Sequence, residues 1–93
     1  MIDTDLPINY NSSHWTVRRE AREWYVMLQD NKCWHCGISL DVRPENTENI
    51  NWNIFPDNFL KYPVHLHHDH VSGMTIGAVH AYCNAVLWQF HGQ

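Results

Sequence analysis

Two short cysteine-containing motifs constrain this chain more than any other feature of its sequence. The first places Cys33 and Cys36 around a two-residue turn followed by Gly37, whose backbone freedom such a turn needs. The second comes after 43 intervening residues and spaces His80 and Cys83 in the same way. Three thiolates and one imidazole form a recognised closed tetrahedral zinc set. We therefore predict a structural zinc ion that ties these two parts of the chain together.

Two other interpretations of these residues stay open. A Cys-x-x-Cys pair also occurs in thioredoxin-like redox sites, but there it follows a strand and opens a helix, whereas here a predicted helix precedes it. His35, inside the first motif, competes with His80 as the fourth ligand. We prefer His80 because it is paired with Cys83 at a predicted strand-to-helix junction. The odd number of cysteines, 3 in all, disfavours a disulfide framework.

The length of the chain makes stabilisation by a metal ion useful. With 93 residues, of which 44% are hydrophobic, the sequence suits one small domain. A domain of this size buries a smaller share of its surface than a larger one. The sequence has no run of about 18 apolar residues and no signal-peptide pattern. We therefore expect a cytoplasmic protein that does not contact membranes.

The spacing of apolar residues predicts a small α+β domain. Apolar side chains recur at helical spacing over residues 16–29. Residues 63–68 and 74–79 are predicted to form two strands joined by a short loop, which makes a β-hairpin. A final helix is predicted over residues 81–90.

The same pattern divides the chain into an arm and a domain. Residues 1–15 are polar and lack either period, so we predict a flexible N-terminal arm. Residues 16–93 form the predicted domain. Within it, residues 41–62 combine prolines and asparagines with scattered aromatic residues, which indicates a long insertion anchored by its aromatic side chains.

The charge distribution leaves DNA binding open without favouring it. The formal net charge is -4, whereas proteins that grip DNA through bulk charge are basic. Half of the 6 basic residues nevertheless lie close together, at Arg18, Arg19 and Arg22. This cluster is either a solvated helix face, in which Arg19 pairs with Glu23, or a DNA-binding face that contacts phosphates.

A dense histidine cluster lies in the last third of the chain. Four of the 8 histidines are His65, His67, His68 and His70. Buried imidazoles need hydrogen-bond partners, so this density indicates a polar or metal-binding site. The pattern His-x-His-x-Asp-His resembles the binuclear zinc motif of metallo-β-lactamase-like hydrolases. Those enzymes resemble large αββα sandwiches with the motif early in the chain, whereas here it lies close to the last residue, Gln93.

A second resemblance covers more of the chain, roughly residues 16–40 and 64–92. In order, the sequence has a helix, a Cys-x-x-Cys-Gly motif, a His-rich strand, a Ser-Gly turn, a short strand and a His-x-x-Cys-Asn motif. This order resembles the phage recombination endonuclease VII branch of the His-Asn-His (HNH) nucleases. The resemblance implies an initial helix followed by a ββα-metal (His-Me) finger, held together by the structural zinc.

The resemblance also implies roles for individual residues. His68 falls at the position of the general base, and His67 and Asn84 fall at the ligands of a catalytic divalent ion. His70 falls at a supporting catalytic position and His65 at an outer one. The implied activity is metal-dependent cleavage of DNA phosphodiester bonds, by nicking or at branched substrates. The implied catalytic ion is Mg²⁺ or one of Mn²⁺, Ni²⁺ and Co²⁺.

Three departures separate this chain from the family pattern. His80 replaces a cysteine, which is tolerable because imidazole and thiolate both bind zinc. His67 replaces the usual aspartate, although the adjacent pair His67 and His68 is similar to the colicin-type nucleases. The insertion at 41–62 leaves the substrate preference open. Because neighbouring side chains on a strand point to opposite faces, a shared site for the two histidines requires the strand to bulge or end there.

The expected partner is DNA, with a protein partner or a homodimer as further options. The resemblance implies a location in the cytoplasm of a phage-infected bacterium. The alternative function is a non-catalytic zinc-binding module that binds DNA or protein and retains its histidines as polar structure. Asn84 has an alternative of the same kind, as a polar residue at the start of a helix that bonds locally.

Overall fold

In the computed structural model, which describes residues 6–44 and 50–91, the chain forms two helices and a two-stranded antiparallel sheet. The predicted α+β class is confirmed, and each of these helices and strands lies within about one residue of its predicted bounds. In chain order the elements are helix α1 (Trp15–Leu28), a 3₁₀ turn (Trp52–Ile54), strand β1 (Val64–His68), strand β2 (Thr75–His80) and helix α2 (Ala81–His91).

Helix α1 has defined ends. His14 caps its start, because the Nδ1 atom of His14 accepts a hydrogen bond of 3.2 Å from the backbone N–H of Thr16. The helix stops where Asp30 and Asn31 adopt the left-handed backbone conformation, with φ of 55° and 57°. These are residue types that tolerate it. Ala21 is the buried residue of α1, so the helix approaches the hairpin closely at that point.

The residue that follows α1 fastens it to the sheet. The Gln29 amide donates from Nε2 to the carbonyl of Ala78 at 2.9 Å, and its Oε1 accepts from the N–H of Ala78 at 2.9 Å. The N–H of Trp34 also donates to the Ala78 carbonyl, at 2.9 Å. A side chain at Gly77 would meet Gln29 at 2.8 Å and Trp34 at 3.1 Å. Glycine therefore lets the end of α1 and the cysteine turn lie against β2.

The hairpin is irregular beside the two adjacent histidines, and β1 ends at the second of them, His68. His67 pairs with Gly77, but His68 pairs with Thr75, so the register shifts between these two histidines. Ile76 is the extra residue on β2, which is the arrangement of a β-bulge. The extra residue therefore lies on the partner strand, opposite the point where the predicted base follows the predicted metal ligand.

Part of the predicted N-terminal arm pairs with the hairpin. The N–H of Tyr10 donates to the Gly73 carbonyl at 2.7 Å, and the N–H of Thr75 donates to the Ile8 carbonyl at 2.9 Å. Residues 1–5 of the arm lie outside the described residues. The described part covers the end of the hairpin where the histidines cluster.

The insertion packs through its aromatic side chains. Phe55 and Phe59 lie against a buried cluster that α2 forms with Ile50. The side chains of Phe55 and Phe59 contact each other with ring centroids 4.6 Å apart. Residues 45–49 of the insertion lie outside the described residues. A separate core lies between the cysteine turn, β2 and α2, and it consists of Cys33, Leu40, Ala78, Val79, Cys83 and Leu87.

Candidate metal centre and histidine cluster

The two cysteine motifs meet in the fold as predicted. One ligand atom from each of Cys33, Cys36, His80 and Cys83 lies within 4.8 Å of all the others. The Nδ1 atom of His80 is 3.4 Å from the Sγ of Cys36 and 3.6 Å from the Sγ of Cys83. Zinc bonds of ordinary length at tetrahedral angles put a sulfur and a nitrogen ligand roughly 3.6 Å apart. The four donors therefore fit a tetrahedral zinc ion.

Backbone geometry aims these four ligands at one point. The first motif is a tight turn, in which the N–H of Gly37 donates to the Cys33 carbonyl at 2.9 Å. Gly37 has a φ of 76°, a conformation in which glycine is favoured. The second motif spans the junction of two elements, since His80 ends β2 and Cys83 lies in the first turn of α2. A metal ion at this point links the turn, the sheet and the helix.

The contacts of His80 explain why it, and not His35, completes the group of four donors. The Nε2 atom of His80 lies 2.8 Å from the carbonyl oxygen of Ser39, to which it donates. That hydrogen bond leaves the Nδ1 lone pair facing the sulfurs, which is how metal-binding histidines are commonly oriented. His35 is exposed, and its backbone N–H donates to the Sγ of Cys33 at 3.3 Å. The prediction of His80 is confirmed for this cluster.

The thiols of the cluster are electrostatically dependent on one another. A hydrogen bond from the Cys83 thiol lowers the pKa of Cys33 to about 4. The same contact, with burial, raises the pKa of Cys83. The cause is that two adjacent thiols share one proton when no cation is bound. A coordinated divalent ion deprotonates its thiol ligands, so zinc removes the conflict between them.

The two adjacent histidines of the predicted catalytic site have different surroundings. His67 is 1% exposed and its ring packs on Trp34 of the cysteine turn, with centroids 5.5 Å apart. His68 is half-buried, and its ring stacks on Tyr10 at 4.0 Å with an interplanar angle of 5°. The two rings therefore have different neighbours, since His67 contacts the cysteine turn whereas His68 contacts the N-terminal segment.

His68 belongs to a row of side chains that contact one another through their rings. His70 stacks on His68, with centroids 5.0 Å apart, and meets Trp88 of α2 edge-on at 5.5 Å. Burial lowers the pKa of His68, and the neighbouring His70 lowers it further. We call this set the aromatic row. Its members are Arg18, Tyr10, His68, His70 and Trp88.

Asn84 contacts the outer histidine of the cluster. Its Nδ2 atom lies 3.1 Å from the Nδ1 of His65. The His65 ring also meets Phe59 of the insertion edge-on, with centroids 4.8 Å apart. Burial lowers the pKa of His65 and favours its neutral form. The structure thus brings Asn84 to His65, whereas His67 lies against Trp34.

Sequence patterns gave no sign of Tyr10 at this site. It lies in an Asn-rich segment without periodicity, and its partner His68 is far along the chain. Its ring carries Arg18 at 4.4 Å as well as the stacked His68. A single tyrosine in a polar segment offers no local signal of such a long-range contact.

Comparisons with known proteins leave the family open. The sequence matches no protein-family profile, and neither the curated proteins nor the solved structures provide a significant match. Among residues 6–44 and 50–91, no helix is long and apolar enough to cross a bilayer. The function is therefore inferred from the chemistry and geometry of the chain itself.

Proposed function

We propose that this protein is a metal-dependent DNA endonuclease of the His-Asn-His type, with His68 as its general base. One observation carries the proposal: a hairpin runs directly into α2, with the Cys₃His cluster at the junction and the histidine cluster at the end of β1. This combination matches the element order that the ββα-metal finger requires. The register shift at His67 and His68 gives it further support.

His68 has the properties of a general base. Hydrolysis of a phosphodiester requires a water molecule that loses a proton as it attacks phosphorus. Because burial and His70 lower its pKa, the His68 imidazole is neutral near pH 7 and can accept that proton. Stacking between Tyr10 and His70 fixes the plane of the ring. A held, neutral imidazole is what general-base catalysis needs.

The remaining polar residues suit supporting roles. In the proposal His67 and the carbonyl oxygen of Asn84 would hold the catalytic divalent ion, which would stabilise negative charge on the phosphate. His65 faces the Nδ2 of Asn84 and therefore favours an amide orientation in which the oxygen points away from His65. His70 supports His68 through the aromatic row.

A second candidate function is a non-catalytic zinc-binding module that binds DNA or protein. The burial of His67 against Trp34 favours this alternative, because a catalytic metal ligand needs an open side toward the substrate. In that case the bulge and the histidines would serve packing, and the zinc ion would be the only metal required.

Incubation of the purified protein with supercoiled plasmid tests the choice. We expect nicking that depends on added Mg²⁺ or Mn²⁺ and that His68→Ala abolishes. The exposed His35 lies outside the aromatic row, so His35→Ala provides the matched control. Plasmid binding without nicking under any of these ions would favour the non-catalytic module.

A further inference from the structure

The arginines of α1 divide into two groups. Arg19 lies over the ring of the exposed Trp15, at 5.3 Å from its centroid. Arg18 and Arg22 are four residues apart, so their side chains are neighbours on the helix surface. Both of them are half-buried, whereas Arg19 is exposed.

Arg18 is held beside the predicted base. Its Nε donates to the carbonyl of Tyr10 at 2.8 Å, and its Cζ lies 4.4 Å from the centroid of the Tyr10 ring. The same ring stacks on His68 at 4.0 Å. The Tyr10 ring thus lies between the Arg18 guanidinium and the His68 imidazole. Besides the N–H that bonds to Tyr10, Arg18 has further N–H groups that can donate hydrogen bonds.

Arg22 follows Arg18 along α1. It lies one helical turn later, about 6 Å along the helix axis, and is half-buried like Arg18. Helix α1 packs on both strands of the hairpin. Two half-buried arginines therefore follow each other along α1, the first of them beside the Tyr10 ring that stacks on His68.

The positive charges of these two arginines are not neutralised within the described part of the chain. Among residues 6–44 and 50–91, neither Arg18 nor Arg22 makes an ion pair with a carboxylate. A protein with a net charge of -4 thus concentrates positive charge beside its histidine cluster. This local positive charge attracts anions, although the net charge of the whole molecule is negative.

We infer that Arg18 and Arg22 form a binding site for the phosphodiester backbone of a nucleic-acid strand, which they align along β1 beside His68. Arg19, on the Trp15 side of α1, is not part of this site. The inference deepens the proposed function and rests on it. Arg18 and Arg22 are one helical turn apart, about 6 Å along the axis of α1, so each of them can contact a different phosphate of the strand.

Binding of a short fluorescent DNA duplex, measured without added divalent ions over a range of salt concentrations, tests the site. Arg18→Gln and Arg22→Gln should each weaken binding about tenfold. Each should also reduce the slope of log affinity against log salt by about 0.9, as expected for one lost phosphate contact. Arg19→Gln removes the same charge from the neighbouring position and should bind like the wild type.

The outcomes separate this inference from the proposed function. Equal losses in all three variants, or no loss in Arg22→Gln, would overturn it. Plasmid nicking by the same preparations reports on the nuclease independently. Nicking without the predicted difference between Arg22 and Arg19 would refute the phosphate site alone, whereas the difference without nicking would support the site and refute the nuclease. Arg18→Gln also loses the hydrogen bond to Tyr10, so its folding is checked by zinc content and circular dichroism. If Arg18→Gln unfolds, the result for Arg22→Gln decides the test.

Discussion

The Cys₃His cluster and the aromatic row use the same imidazole side chain in opposite ways. In the first, His80 points the edge of its ring at the sulfurs, and a hydrogen bond to Ser39 fixes the other edge. In the second, His68 lies face to face with Tyr10 and His70. An imidazole nitrogen that converges with sulfur atoms can bind a metal ion. Imidazoles that stack through their faces contact other rings instead.

The comparison also bears on the lactamase-like alternative for the histidine cluster. Among residues 6–44 and 50–91, the Cys₃His cluster is the one place where at least three histidine, cysteine or acidic donors converge. His65 to His70 are all described, and they do not form such a group. A high local density of histidines in the sequence therefore does not by itself make a metal centre. The rings of these histidines contact other aromatic rings instead.

The largest expected effect is at the metal centre. Cys33→Ser and Cys83→Ser should unfold the protein, because structural zinc contributes on the order of 10 kcal/mol to the folding of small metallo-domains. That amount is comparable with the whole stability of a typical domain. Circular dichroism and bound-zinc analysis, before and after chelation, measure the effect.

His35→Ala is the matched control for the metal centre. It alters the same turn without removing a ligand, so it should keep its zinc and its spectrum, whereas His80→Ala should lose both. A cooperative, native-like spectrum from fully zinc-free protein would contradict the assigned role of the cluster.

The next effect is on cleavage rather than folding. His68→Ala should reduce plasmid nicking by at least about a hundredfold while leaving zinc content intact, as expected when a general base is removed. The wild-type rate should fall as the pH drops through the pKa of His68, because only the neutral imidazole accepts a proton. Since burial lowers that pKa from 6.5, the acid loss should begin below that value. Unchanged nicking by His68→Ala would remove the base from the proposal.

The sequence predicted what depends on local spacing. Regular periods located both helices and both strands, and two three-residue steps located the four donors of the Cys₃His cluster. The contact between Tyr10 and His68 depends on how the N-terminal segment docks, and no local pattern encodes that. A shared site for His67 and His68 requires a bulge or a strand end at this pair, but no period in the sequence shows that the extra residue is Ile76 of β2. The different ring neighbours of the two histidines, Trp34 and Tyr10, also depend on contacts between residues far apart in the sequence.

A smaller effect concerns the choice of ion at His67. Imidazole suits Mn²⁺, Co²⁺ and Ni²⁺ better than Mg²⁺, which prefers oxygen ligands. The wild type should therefore nick plasmid at lower concentrations of these ions than of Mg²⁺. His67→Asp should shift the preference toward Mg²⁺, and His67→Ala should lose activity with every ion. Ion titrations with constant structural zinc measure this. Identical ion preferences for wild type and His67→Asp would assign His67 to packing against Trp34 instead.

The smallest expected effect is that of substitutions at Tyr10. These variants distinguish the aromatic row, which stacking contacts stabilise, from the Cys₃His cluster, which a metal ion would stabilise. Tyr10→Ala removes one stacked pair and one cation–π contact, so we expect a loss of about 1 to 2 kcal/mol in the free energy of unfolding. Tyr10→Phe keeps the ring, and the Tyr10 hydroxyl makes no hydrogen bond within the described part of the chain. Its stability should stay within a few tenths of a kcal/mol of the wild type, as is usual where no such contact is lost. Urea unfolding at constant zinc measures both variants, and both should retain their zinc because Tyr10 lies in the row and not at the Cys₃His cluster. Equal destabilisation by phenylalanine and alanine, or loss of zinc from Tyr10→Ala, would show that the row and the metal centre are not separate structures.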